Sequence, residues 1–241
     1  MKVLFAGPSL YGLAPDLSGI SLCGPAAHGD IARAVFEGAT AIGLVDGNFE
    51  AVAAVWHKEI LFALANGVAI LGASSMGALR AAECASFGMV PVGAIARAYL
   101  SGALDDDAAV ALLHGPKQLG YPPFTEPLVN VQPTLWKLHE LGLISDAERE
   151  ELWLEACRLH FKDRTVDAIF DRARSRRKAL AYEEHRVNRK GEDALLLITE
   201  LRKAVETPPI GADAPSPNSF FSREVLPALV ANSSWQVKAG D

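Results

Sequence analysis

The groups whose types and spacing suit chemistry are two adjacent hydroxyls, Ser74 and Ser75, and an amine, Lys58. The serines lie in Gly72-Ala73-Ser74-Ser75-Met76-Gly77, between the apolar run Val68–Leu71 and the strong helix formers that begin at Ala78. A buried strand, a small-residue turn and a helix together make an elbow that lifts a hydroxyl to a helix N-terminus. Unpaired backbone N–H groups and the positive end of the helix dipole meet there, and both favour a developing oxyanion. Plain architecture also fits these residues. Ser74 would then be the N-cap, and the glycines would allow close packing.

A nucleophilic serine needs a base. Lys58 falls within a stretch from about residue 49 to Ala65 that is apolar almost all round apart from Glu50 and His57-Lys58-Glu59. On helical spacing its neighbours are Ala54, Val55, Leu61 and Phe62, surroundings that strip water from an amine and leave it able to take a proton. Alternatively, Lys58 and Glu59 reach solvent through a narrow stripe. An undistorted strand–helix–strand layout leaves Lys58 and Ser75 about 10 Å apart, so the strand must be short or curved.

The elements that must hold these groups alternate. Lys2–Ala6 reads as a first strand ending in Gly7-Pro8-Ser9, Ile20–Cys23 as a short second, and Ala41–Val45 as a third ending in Asp46-Gly47. A helix from Asp30 towards Gly38 and the long helix ending at Asn66-Gly67 separate them. This alternation predicts an α/β fold, with a small, mostly parallel sheet and flanking helices. Functional groups of such sheets gather at the strands' carboxyl ends, where Gly7, Ser9, Asp46, Gly47, Ser74 and Ser75 all fall. Asp46 there would orient Lys58 or a water.

Further on, Gly88–Gly102 reads as a turn and a helix, and Asp105-Asp106-Asp107 leads a helix to His114. Those carboxylates suit the helix dipole; with no other acid or histidine at ligand spacing, a metal site is the weaker reading. After Gly115-Pro116 comes a helical appendage of about Leu128–Leu141, Ser145–Arg174 and Glu192–Val205, with a capping box at Ser145–Glu148. The expected division is thus 1–115 core, 116–205 appendage and 206–241 linker and tail, with a short helix over Ser222–Val237. Lys and Arg crowd at 172, 174, 176, 177, 178, 186, 189 and 190, a solvated face or a dock for an acidic partner.

Across 241 residues the net charge is -6 and half of the residues are hydrophobic. That balance argues against a nucleic-acid binder, and no apolar run is long enough for a membrane span. The start, Met1–Pro8, reads as a strand rather than a signal peptide. Cys23, Cys84 and Cys157 fit neither a disulfide framework nor a zinc site, which points to the cytoplasm.

The motifs Phe5–Ser9, Gly24-Pro-Ala-Ala-His-Gly-Asp30, Asp46–Phe49, Trp56-His-Lys-Glu-Ile-Leu61, Gly72–Glu83 and Asp105–Asp107 resemble the TfuA-like family over about residues 1–115. Gly24-Pro25 stands where the family usually has two prolines. The resemblance implies a partner of YcaO enzymes, which install backbone thioamides in ribosomal peptides. It implies sulfur delivery by hydrolysis of the C-terminal thiocarboxylate of a ThiS-like carrier, through a Ser–Lys pair and without a cofactor or metal. The pair maps to Lys58, with His57 beside it, and to one of the two serines. Ala-Ser-Met-Gly-Ala also looks like the nucleophile turn of Clp-type peptidases. This favours Ser75, with the backbone N–H groups of Met76 and Gly77 near the oxyanion and Ser74 as cap or alternative nucleophile. Two other functions compete: a non-catalytic adaptor between carrier and YcaO, and a small-anion site at Gly7–Ser9 and the helix start.

Overall fold

In a computed structural model the described residues are 1–48, 52–172, 178–205 and 226–227. They form two compact units, Met1–Leu104 with Gly191–Asp241, and Asp105–Lys190. The first is built on five short strands: β1 (Lys2–Phe5), β2 (Ile20–Cys23), β3 (Ala41–Leu44), β4 (Ala69–Gly72) and β5 (Val90–Pro91). All pair in parallel in the order β2-β1-β3-β4-β5, so this is an α/β fold. β1 lies between β2 and β3, with Lys2 opposite both Ile20 and Ala41.

The central strands are apolar on both sides, and each face finds its own cover. Val3, Phe5, Ile42, Leu44 and Ile70 pack with α1 (Asp30–Phe36), α2 (His57–Ala65) and α3 (Met76–Cys84). These helices connect strands laid down in one direction across the sheet, and right-handed crossovers place them on one face. The β1–β2 connection runs the opposite way and contains only a 3-10 turn at Pro8–Leu10. The other face, Leu4, Ala41, Ala69 and Leu71, would be bare without a helix from elsewhere. α9 (Arg189–Lys203) supplies Ala194, Leu197, Ile198 and Leu201 to it. A Cβ on Gly43 would lie 2.6 Å from Leu197 Cδ2, so a larger residue here would have to displace leucine side chains of the covering helix. The last helix of the expected appendage therefore packs on the sheet.

Other elements differ from expectation. The long helix expected from about residue 49 begins at His57, and residues 49–51 lie outside the described set. Asp105–Asp107 leads only a 3-10 turn, Asp107–Ala109, where the Asp106 carboxylate accepts the Ala108 N–H at 2.8 Å. Val90–Pro91, read as part of a turn, adds the fifth strand before α4 (Gly93–Leu100).

The second unit contains α5 (Leu128–Glu140), α6 (Asp146–Arg158), α7 (Val166–Arg172) and α8 (Ala179–His185). Ser145 and Glu148 close the expected capping box at the start of α6. The basic stretch is partly consumed within this unit. Lys178 pairs with Glu148 and Arg186 with Glu126 and Glu183, while Lys190 is buried and donates to the Val110 carbonyl at 2.7 Å. Arg174, Arg176 and Arg177, the expected linker and nearly all of the expected C-terminal helix lie outside the described residues. Among the described residues no helix is long and apolar enough to cross a membrane.

Candidate functional site

The strand order reverses at β1, since β2 lies on one side of it and β3 on the other. In parallel sheets ligands bind beyond the carboxyl ends of the strands flanking such a switch. Here Asp46, which follows β3, reaches across to the turn after β1. Its Oδ2 accepts the N–H groups of Gly7 at 2.8 Å and Ser9 at 3.0 Å, and its Oδ1 accepts the Ser9 hydroxyl at 2.7 Å. Asp46 and Ser9 are buried. The expected supporting residues Gly7, Ser9 and Asp46 thus come together as a clasp that closes the switch point. Gly47 is held between the Ala26 carbonyl and the Met76 side chain, where a Cβ would meet Met76 Cγ at 2.7 Å.

The loop after β2 is fixed just as closely. Ala26 N–H donates to the Asp46 carbonyl, Asn48 N–H to the Ala26 carbonyl and His28 N–H to the Ala53 carbonyl. Asp30 turns back to accept the Ala27 N–H at 2.8 Å. Glu59, on the first turn of α2, is fully buried and meets the same loop. Its Oε2 accepts Gly29 N–H at 2.9 Å and Ala32 N–H at 3.5 Å, and its Oε1 accepts Trp56 N–H at 3.1 Å. Burial pushes the Glu59 carboxyl up to about 7, against those hydrogen bonds, and the nearby Asp30 adds to the rise. The His28 ring lies against Trp56, tilted by 52° with ring centroids 4.1 Å apart. Its Nε2 is buried without a hydrogen bond, and desolvation lowers the imidazole's pKa. Sequence reasoning missed Glu59, Asp30 and His28 as a unit. Their signal was an acid three residues after Trp56, at the position where a helix start uses one.

Lys58 is exposed, so the desolvated setting expected for it is absent. The physical reason is the late helix start. Residues 52–56 are not helical, and the apolar neighbours counted at Ala54 and Val55 do not lie one turn below it. Lys58 is the second residue of α2. It is seven residues before Ala65, roughly 10 Å along the helix, while β4 spans four residues, roughly 13 Å. His57, exposed beside it, meets Glu83 at 2.8 Å, and Arg80 binds both Glu83 and the Val55 carbonyl, which ties the turn to α3.

The elbow has the expected order of strand, turn and helix, with a local backbone that the sequence did not foretell. Ser74 has φ 66°, and the Ser75 N–H donates to the Ala73 carbonyl at 2.8 Å. That is a γ-turn of the strained, positive-φ kind centred on a residue with a side chain. Both serines are buried. The two glycines have packing roles. A Cβ on Gly77 would fall 1.8 Å from the Leu44 carbonyl oxygen, and one on Gly72 would fall 2.1 Å from the Gly77 oxygen. α3 therefore starts in direct backbone contact with the ends of β3 and β4. Of the two N–H groups expected near the oxyanion, that of Gly77 donates to the Val45 carbonyl at 3.1 Å. Met76 N–H, the first of α3, makes no hydrogen bond among the described residues.

A parallel α/β unit with a clasped switch point and a serine elbow beside it is the class of protein defined so far. Residues 46–165 match the family model described as TfuA-like protein. The chain belongs to the TfuA-like family. That match takes in Asp46, Lys58 and the elbow, and it continues into the second unit, beyond the region where motifs alone carried the resemblance. No curated protein shows significant similarity to the chain.

Proposed function

We propose that this protein hydrolyses the C-terminal thiocarboxylate of a ThiS-like carrier and so supplies sulfide to a YcaO-type cyclodehydratase for peptide backbone thioamidation. Family membership supports the setting. The observation that carries the chemistry is the γ-turn at Ser74, which places Ser75 at the head of α3 beside the open Met76 N–H.

In this reading the Ser75 oxygen attacks the thiocarboxylate carbon while the Lys58 amine takes the hydroxyl proton. The oxyanion that forms is held by Met76 N–H at the positive end of α3. Lys58 passes that proton to the sulfur as the C–S bond breaks, and hydrosulfide leaves with the carrier acylated on Ser75. Water then attacks the ester as Lys58 takes a proton from it and delivers it to the Ser75 oxygen, and the carrier departs as an ordinary carboxylate. One water is consumed and one hydrogen sulfide is formed per turnover. Ser74 is the geometric support, and its positive φ also keeps it as the second candidate nucleophile.

The test is loss of carrier thiocarboxylate in the presence of the purified protein. Ser75→Ala and Lys58→Ala should each abolish it, and the double variant should cost little beyond either single. Glycine accepts a positive φ without strain, so Ser74→Gly should retain most activity. Inactive Ser74→Gly with active Ser75→Ala moves the nucleophile to Ser74. Carrier binding without consumption by wild type leaves an adaptor.

A further inference from the structure

We infer that Glu59 is a positioning residue: its ionised carboxylate, bound to Trp56, Gly29 and Ala32, fixes the first turn of α2 and thereby the aim of Lys58. This rests on the hydrolase reading above. Glu59 is adjacent to Lys58 in sequence yet points the other way, fully buried where Lys58 is exposed. Through Trp56 N–H it sets where α2 begins, and through Gly29 and Ala32 it ties that start to the loop and helix after β2. Three N–H groups converge on its two oxygens, so the site calls for an acceptor-only side chain. Protonation puts an O–H among these donors and weakens the clasp. An amide in the same place brings an NH2 against at least one of them.

The groups around Glu59 sharpen the expectation. Asp30 on α1 opposes its ionisation. His28 lies on the clasped loop, and burial lowers the pKa of its imidazole. On the outer side of the turn His57, Arg80 and Glu83 pair with one another. Because burial pushes Glu59 up to about 7, neutral solution contains both the tight and the loosened forms. The acid's ionised fraction grows with pH, so kcat should rise through a limb centred near 7, with KM for the carrier little changed.

The measurement is kcat and KM for a thiocarboxylated ThiS-like carrier from pH 5.5 to 8.5. Wild type should show that limb, with kcat increasing several-fold across it. Glu59→Gln should keep KM, lose about tenfold in kcat at pH 8 and have no limb near 7. Asp30→Asn, which removes the opposing charge, should move the wild-type limb to lower pH. A limb that persists in Glu59→Gln, or stays in place in Asp30→Asn, overturns the assignment while leaving the hydrolase intact. Wild type that consumes no thiocarboxylate at any pH removes the hydrolase reading, and this one with it. If Glu59→Gln does not fold, the wild-type limb and its displacement in Asp30→Asn decide the matter.

Discussion

In the α/β unit Asp30, Asp46, Glu59 and Asp193 are buried and each accepts backbone N–H groups, whereas in the helical unit the buried Arg164 and Lys190 donate to backbone carbonyls. Asp193 of α9 takes the first N–H groups of α4, from Ala94 and Ile95. Arg164 reaches Ala156 and Leu159 at the end of α6, and also the carbonyls of Ala108 and Glu126. Glu126 is the buried acid of the second unit, and it is met by side chains, Tyr182 and Arg186. The contrast follows from helix polarity. A parallel sheet starts its helices at one edge, which concentrates unpaired N–H groups that acids can gather. A bundle whose helix ends turn inward must satisfy carbonyls, and a guanidinium with its many donors does this best. Catalysis of acyl transfer needs N–H groups aimed at developing negative charge, which is why the proposed chemistry is assigned to the first unit.

The contrast can be broken most severely at Arg164. Arg164→Met keeps much of the stem but leaves carbonyls of Ala156, Leu159, Ala108 and Glu126 without this donor. A loss of about 3–5 kcal/mol is expected, confined to residues 105–190 in amide hydrogen exchange. Equal loss of protection in β1 and β3 would mean that the units do not divide their stabilities as they divide their charges.

A smaller effect is expected at Asp46. The carboxylate binds both sides of the switch point, and Asn can present only one carbonyl to three donors. Asp46→Asn should cost about 2 kcal/mol, with hydrolysis falling in step as the β1 turn loosens. Lost hydrolysis at unchanged melting temperature would instead give Asp46 a direct part in the reaction, the role expected from sequence.

What could be read in the sequence followed from periodicity and turn chemistry. Val68–Leu71 and the small residues after it located β4 and the elbow within a residue or two, because a doubly covered strand must be apolar throughout. The start of α2 was not legible. Ala and Val at 51–55 are compatible with a helix, and only the tertiary reach of Glu59 to Gly29 shows where it begins. α9 was legible as a helix, but its destination was not, since the bare sheet face it covers appears only once the crossovers are placed. The positive φ at Ser74 was hidden for a similar reason: glycine, the usual mark of that conformation, is absent there.

The smallest expected effect tests a side-chain exception to satisfied burial among the described residues of the α/β unit. The acids there each hold backbone donors, but among the described residues His28 Nε2 is the buried side-chain nitrogen or oxygen without a hydrogen bond. His28→Phe retains a flat ring against Trp56 and removes the orphaned atom. Stability at pH 8 should stay level or rise, by at most about 1 kcal/mol. Because burial depresses the imidazole's pKa, the native state binds fewer protons here than the unfolded chain. Wild type is therefore at its best above the unfolded value of about 6.5 and loses stability as pH falls below it. The phenylalanine variant has no such loss, so its advantage should widen from pH 8 to pH 5.5 in parallel thermal melts. A variant less stable than wild type at every pH would show that Nε2 is satisfied in solution, and that this unit anchors its loops through a histidine as well as through acids.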